Sequence, residues 1–308
     1  MTELDLSRHS PLLDPHLHVW GWEVPAYLFL GGLAAGAMEL LPLLLARPGP
    51  ASRTARRLGF AAPLLVTMGM GALFLDLEQK AHVLRFYLAF RWTSPMSWGA
   101  WILLLVYPVS LLSALGALDD QDAEALARRA GPLGQLVLAA RRLAAPRAAL
   151  LRRAGVAVGG GLGVYTGILL SALGARSLWA SPVLGPLFLA SGVSSGAALL
   201  LLFGLDDGER RWLDRAHRLA LGSEAALLLL FALGHATGGA AGRAALQGLV
   251  RGPFALAFWG LVVACGLGLP LLVEGAEARL HRHTPLAPAL VLLGGLALRW
   301  VMVAAGQV

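Results

Sequence analysis

Apolar residues run through the chain in eight long blocks, at about 22–46, 57–77, 97–118, 153–173, 182–204, 219–241, 253–273 and 286–305, with polar segments between them. Each block is long enough to cross a bilayer as a helix, which takes about 20 mostly apolar residues rising about 1.5 Å apiece. Segments of about ten residues alternating polar and apolar, the mark of a membrane barrel, do not occur, so the backbone must satisfy its polarity inside helices. The pattern predicts an all-α membrane protein with eight transmembrane helices. Met1 to Leu17 is polar and the first apolar block is too long for a signal peptide, so this segment is expected to stay attached.

One polar connection is long. Residues 119–152 open with Asp119, Asp120, Asp122 and Glu124 and continue as leucines mixed with paired arginines. That mixture predicts an Arg-rich amphipathic helix lying on anionic lipid, with the acid cluster near its N-terminus. The chain divides accordingly into 1–118 with spans 1 to 3, the connection 119–152, and 153–308 with spans 4 to 8. An offset of 160 residues sets Gly32, Gly36 and Ala37 on Gly192, Gly196 and Ala197, and Leu40 and Leu41 on Leu200 and Leu201. The copies are four spans apart and cross in the same direction, so two four-helix bundles in parallel repeat are expected, span 4 completing the first. Both copies carry Gly-x-x-x-Gly, which lets helix backbones approach where lipid offers no hydrophobic drive.

Composition agrees: 57% of residues are hydrophobic and 14% charged. The net charge of +7 would suit a nucleic-acid binder if it were gathered on a soluble domain, but it is spread over loops. With Arg57 and Arg153 at the block edges counted in, connections after spans 1, 3, 5 and 7 hold four, seven, four and two Lys or Arg, against three, one and two after spans 2, 4 and 6. The positive-inside rule puts the first group in the cytoplasm and both termini outside.

Ionisable residues within spans are costly and mark functional sites. On this topology Glu23, Tyr27, Asp76, His235 and Arg299 lie towards the outer face, while Glu39 and Glu224 lie towards the inner one. On span 6, His217, Glu224 and His235 are seven and eleven residues apart, which puts them within about 20° of one helix face. Such a stripe fits snorkelling ends with an interhelical hydrogen bond, or a proton route to the outer cluster. Cys265 is the single cysteine, which excludes an iron–sulfur cluster or c-type haem in this chain. A b-type haem needs two histidines at matched depth, and only His235 lies clearly within a span, so haem is not expected. Redox chemistry would need a diffusible organic carrier.

The first span, WEVPAYLFLGGLAAGA, resembles the opening of the NrfD/PsrC family, the membrane subunits of polysulfide reductase and its relatives. The likeness continues through DLEQKAHVLRF, SPMSWGAW, VYTGILLSAL and LGGLALRWVMVAAGQ, in the family's order over most of the chain. The resemblance implies an eight- or nine-helix protein of the prokaryotic plasma membrane, without haem or metal. It also implies a quinone, menaquinone or ubiquinone, bound near the outer face. Electrons would pass to or from a four-cluster ferredoxin-like iron–sulfur subunit docked there, which usually connects to a molybdopterin catalytic subunit. Trp22, Glu23, Tyr27, Asp76, Tyr165 and His235 are then the candidate quinone-binding residues. Tyr27 and Tyr165 would hold the ring oxygens, and Glu23, followed by Asp76, would accept protons. Glu39, Glu224 and Arg299 are the remaining candidates for proton transfer, with a proton pump and a charge-neutral quinone reactor both open. Buried tyrosines bond something in any fold, and Trp22 and Trp98 also suit an interfacial aromatic belt. Relatives can carry asparagine or histidine where Glu23, Val24 and Tyr27 stand. Two other classes fit the composition: a non-redox anchor for a soluble enzyme, and a secondary transporter.

Overall fold

The computed structural model describes residues 20–76, 91, 93–172, 176–280 and 284–308. Among the described residues, eight helices are long and apolar enough to cross a membrane, as the hydropathy pattern requires. They are Glu23–Leu45, Arg53–Asp76, Pro95–Ala117, Ala148–Ser171, Leu184–Leu201, Asp207–Thr237, Ala257–Glu277 and Leu286–Gly306, spans 1 to 8 below. Span 6 starts at Asp207 rather than near 219, because Asp206 and Glu209 form a reciprocal capping box that begins the helix in polar sequence. Span 7 is wound as a π-helix over Ala257–Gly268.

The long connection folds as two helices rather than one, Asp120–Arg129 and Gly134–Ala144, parted at Gly131 where φ is +55°. Asp119 caps the first by accepting from the Asp122 N–H at 2.8 Å. The second is tied to the end of span 3 by Arg141, which donates to the Leu118 carbonyl at 3.1 Å and pairs with Asp120 at 2.8 Å.

Spans 1 and 5 form the centre. They are 67% and 72% buried, against 33% for spans 2, 3 and 6, whose remaining surfaces face outward. Lipid does not drive apolar helices together, so close approach must come from small side chains. A Cβ on Gly36 would lie 2.2 Å from the Gly192 carbonyl oxygen and 3.1 Å from Gly196 Cα, and one on Gly192 would lie 2.8 Å from the Gly32 oxygen. The glycines matched by the 160-residue offset therefore pack on one another, in parallel. Span 1 packs on spans 2 and 4, and span 3 on span 4; span 5 packs on spans 6 and 8, and span 7 on span 8. Spans 2 and 3, spans 1 and 8, and spans 4 and 5 pack on one another as well.

Each end of the molecule is pinned. At one, the Trp20 N–H donates to Gln307 Oε1 at 2.9 Å and Gln307 Nε2 donates to the Trp20 carbonyl at 3.1 Å. Trp20 also stacks on Trp179, whose indole donates to the Met302 carbonyl at 2.7 Å. This is the terminal end. At the opposite, arginine-rich end, Arg47 donates to the Gly208 carbonyl and the Ser52 N–H to Glu209, both at 2.7 Å. There Arg53 and Arg57 both fork onto Asp122, each Nε reaching Oδ2 at 2.9 Å.

Candidate functional site

Spans 1 to 4 bring Trp22, Glu23, Tyr27, Asp76 and Tyr165 to the terminal end, because spans 1 and 3 start there and spans 2 and 4 finish there. Trp22 precedes the first turn and is 62% exposed, as an interfacial tryptophan would be. The half-buried Glu23 lies against the Gly21 backbone and has no hydrogen-bond partner among the described residues. Tyr27 is buried one turn deeper, with Gly69 of span 2 alongside its ring. Asp76 closes span 2 and is half-buried.

Tyr165 is buried in span 4, and its phenol lies against Gly99 of span 3. A Cβ at Gly99 would stand 2.0 Å from the Tyr165 hydroxyl, so glycine is required there for the phenol to reach its place. Two of the family-like segments, SPMSWGAW and VYTGILLSAL, thus meet through Gly99 and Tyr165. Thr166, the next residue, packs at the level of Gly31 in span 1. The Tyr165 hydroxyl has no hydrogen-bond partner among the described residues, although buried phenols normally have one.

His235 is at the same end but belongs to span 6. Its Nδ1 is 2.9 Å from the Phe231 carbonyl and its Nε2 is 3.2 Å from the Ser177 carbonyl, so the ring ties span 6 to the segment after span 4. Residues 77–86 of DLEQKAHVLRF, and His16, His18, His82, His281 and His283, lie outside the described residues.

A second polar group occupies the middle of spans 5 to 8. Arg299 is fully buried in span 8, donates to the Ser191 hydroxyl and to the Phe188 carbonyl at 3.0 Å, and lies 5.0 Å from the Phe188 ring centre. Ser191 and Ser194 both turn to the Glu224 carboxylate, Ser194 donating at 2.6 Å. His217 Nδ1 is 3.0 Å from the Ser194 carbonyl, and His217 Nε2 is 3.1 Å from Glu274 Oε1, though not aligned for a hydrogen bond. Carboxylate, hydroxyls, imidazole and guanidinium therefore line up from Glu274 to Arg299, which reaches span 1 at Gly32. Arg299 is thus joined to Glu224 at mid-depth, not to Glu23 and Tyr27.

Glu39 stands apart on span 1, against Gly159 and Gly160 of span 4, with Oε1 buried and unbonded. The stripe of His217, Glu224 and His235 anticipated two members of the line. Ser191, Ser194 and Glu274 were not anticipated: serines in a glycine-rich apolar span read as packing residues, and Glu274 reads as a helix end. Among the described residues, no three His, Cys, Asp or Glu side chains gather as a metal site.

Comparison with known proteins extends these observations. The family model described as "Polysulphide reductase, NrfD" matches residues 11–308. The sequence is 31% identical over 307 residues to the C subunit of polysulfide reductase from Wolinella succinogenes, covering 94% of each protein. It is 31% identical over 306 residues to Protein NrfD of Escherichia coli, covering 94% of this chain and 95% of the relative. With a Protein NrfD homolog of Haemophilus influenzae it shares 28% over 324 residues, 99% of each.

Proposed function

The chain belongs to the NrfD family of polysulphide reductase, and we propose that it is the quinone-reactive membrane subunit of a respiratory oxidoreductase complex. A bound quinone or quinol supplies chemistry of two electrons and two protons. The protein's part is to hold the two ring oxygens and to accept or return the protons. The observation that carries the reading is Tyr165, a buried side chain whose hydroxyl lies beside Gly99 with no bond to the described protein and is free to bond a ring oxygen. Tyr27 takes the second oxygen. Glu23, its carboxylate likewise without a described partner, exchanges a proton at the membrane boundary; Asp76, at the end of span 2, is the second proton acceptor. Trp22, exposed at the start of span 1, flanks Glu23, and His235 fixes the segment after span 4.

In this reading, electrons pass to or from a ferredoxin-like iron–sulfur subunit docked at the terminal end, with a molybdopterin subunit beyond it. That end is read as lying outside the plasma membrane of a prokaryote, with both termini there, and the arginine bias supports this orientation. Spans 1 to 4 and 5 to 8 are read as a parallel repeat, the first half holding the quinone site. Glu224 and Arg299, with their serines and His217, provide a line for protons within the second half, and Glu39 provides an acid in the first.

Extraction of the complex in mild detergent tests the proposal: quinone should co-purify with the wild type and be lost from Glu23→Gln and Tyr165→Phe. A complex that assembles, turns over soluble donors and never retains quinone would make the protein an anchor only.

A further inference from the structure

At the arginine-rich end, spans 1 to 4 and the turn after span 1 line a partly open cavity of about 350 Å³, within the range of about 300–1,000 Å³ typical of ligand sites. It lies where spans 1 and 3 finish and spans 2 and 4 begin, at the opposite end of the bundle from Tyr165. Leu41 and Leu45 of span 1 and Ala114 of span 3 supply apolar wall. Two arginines also line it, Arg56 from span 2 and Arg152 from span 4. Both are half-buried, and neither has a hydrogen bond or ion pair among the described residues.

Their neighbours are otherwise engaged. Arg53 and Arg57, on either side of Arg56, are bound to Asp122, and Arg47 donates to the Gly208 carbonyl. The Ser113 hydroxyl, also in the cavity wall, is buried without a partner. Two cations partly withdrawn from water with no protein anion call for an anionic occupant, and guanidinium forks suit phosphate oxygens. An apolar wall at the level of the helix ends calls for one that carries hydrocarbon as well. A neutral ring would leave both charges uncompensated.

We propose that this cavity binds an anionic phospholipid, its phosphodiester between Arg56 and Arg152 and its upper acyl carbons along Leu41 and Leu45. Basic pockets between membrane helices hold such headgroups elsewhere. The occupant would wedge together four helices that otherwise meet here around a void.

Native mass spectrometry of the full-length protein, with whatever subunits co-purify, tests this after detergent exchange. The probe is an equal mixture of phosphatidylglycerol and phosphatidylcholine with the same acyl chains. Wild type should favour phosphatidylglycerol; Arg56→Gln and Arg152→Gln should each cut the preference about fivefold, and the double variant about thirtyfold. Arg153→Gln, an exposed neighbour outside the cavity, is the control and should change little. An unchanged preference in the double variant, or an equal loss in Arg153→Gln, overturns the proposal. So does inorganic phosphate if it displaces phosphatidylglycerol at millimolar concentration, since the source would then be the free ion. Should the glutamine pair fail to fold, Arg56→Lys with Arg152→Lys decides: the fork geometry is lost and the preference should fall several-fold, and an undiminished preference is contrary.

Discussion

Tyr165 has a hydroxyl without a described protein partner, so removing it costs the fold little. Tyr165→Phe should leave thermal unfolding within about 0.5 kcal/mol of wild type, while quinol-dependent turnover of the assembled complex falls about tenfold, the value of about one hydrogen bond. Turnover unchanged beside unchanged stability would remove Tyr165 from the site. Arg299 and Glu224 should behave oppositely. Breaking a buried charge pair costs about 3–5 kcal/mol because one charge is left uncompensated, whereas replacing both with apolar residues costs much less. Glu224→Leu alone should therefore destabilise strongly, and Glu224→Leu with Arg299→Met should recover most of the loss in a double-mutant cycle read by thermal unfolding in detergent. Additive losses would show that the two charges are not coupled through Ser191. The ionisable members of both groups stood out in the sequence, since acids within apolar blocks are costly to keep. Their partners did not: Gly99 became visible as the seat of Tyr165, and Ser191 as the link to Arg299, once spans distant in sequence lay side by side.

Between helices, small residues and end clamps carry the packing. A methyl at Gly36 would collide with backbone of span 5, whereas one at Gly71 would meet nothing within 4 Å. Gly36→Ala should sharply lower the yield of folded protein, and Gly71→Ala should be neutral or stabilising by up to about 1 kcal/mol through helix propensity. Equal behaviour on size-exclusion and thermal unfolding would contradict the close span 1 to span 5 contact. The clamp of the connection on span 2 is electrostatic: the Arg57 and Arg53 guanidiniums hold the Asp122 carboxyl well below the usual carboxylate range. Its folded value lies under the unfolded one of about 3.9, so the contribution to stability is complete at pH values above that and is lost as pH falls below about 4. Asp122→Asn should thus lower the Tm at neutral pH and flatten its decline on acidification. The helical blocks themselves could be marked from hydropathy to within a turn at most ends. The start of span 6 could not, because the Asp206 and Glu209 box extends the helix through polar residues that hydropathy assigns to a loop.

The whole molecule has an arginine-rich end and an end where Trp20 and Gln307 join the two extremes of the described residues. A periplasmic reporter fused after Val308 should be active, and one inserted near Gly131 should be active only as a cytoplasmic reporter. The reverse result would overturn the orientation and with it the docking side. Crossing number, helical class and charge asymmetry follow from the sequence alone, because a bilayer acts on each segment separately: about 20 apolar residues partition as a helix whatever their neighbours are. Family membership, too, could be read from segments such as WEVPAYLFLGGLAAGA and LGGLALRWVMVAAGQ. Which helices touch is another matter, since lipid is as apolar as leucine and hydropathy carries no preference for one neighbour over another. Packing of Gly36 on Gly192 and Gly196 set spans 1 and 5 at the centre. Folding alone joined Glu224 to Arg299, laid Tyr165 on Gly99, and left Arg56 and Arg152 facing a cavity without an anion of their own.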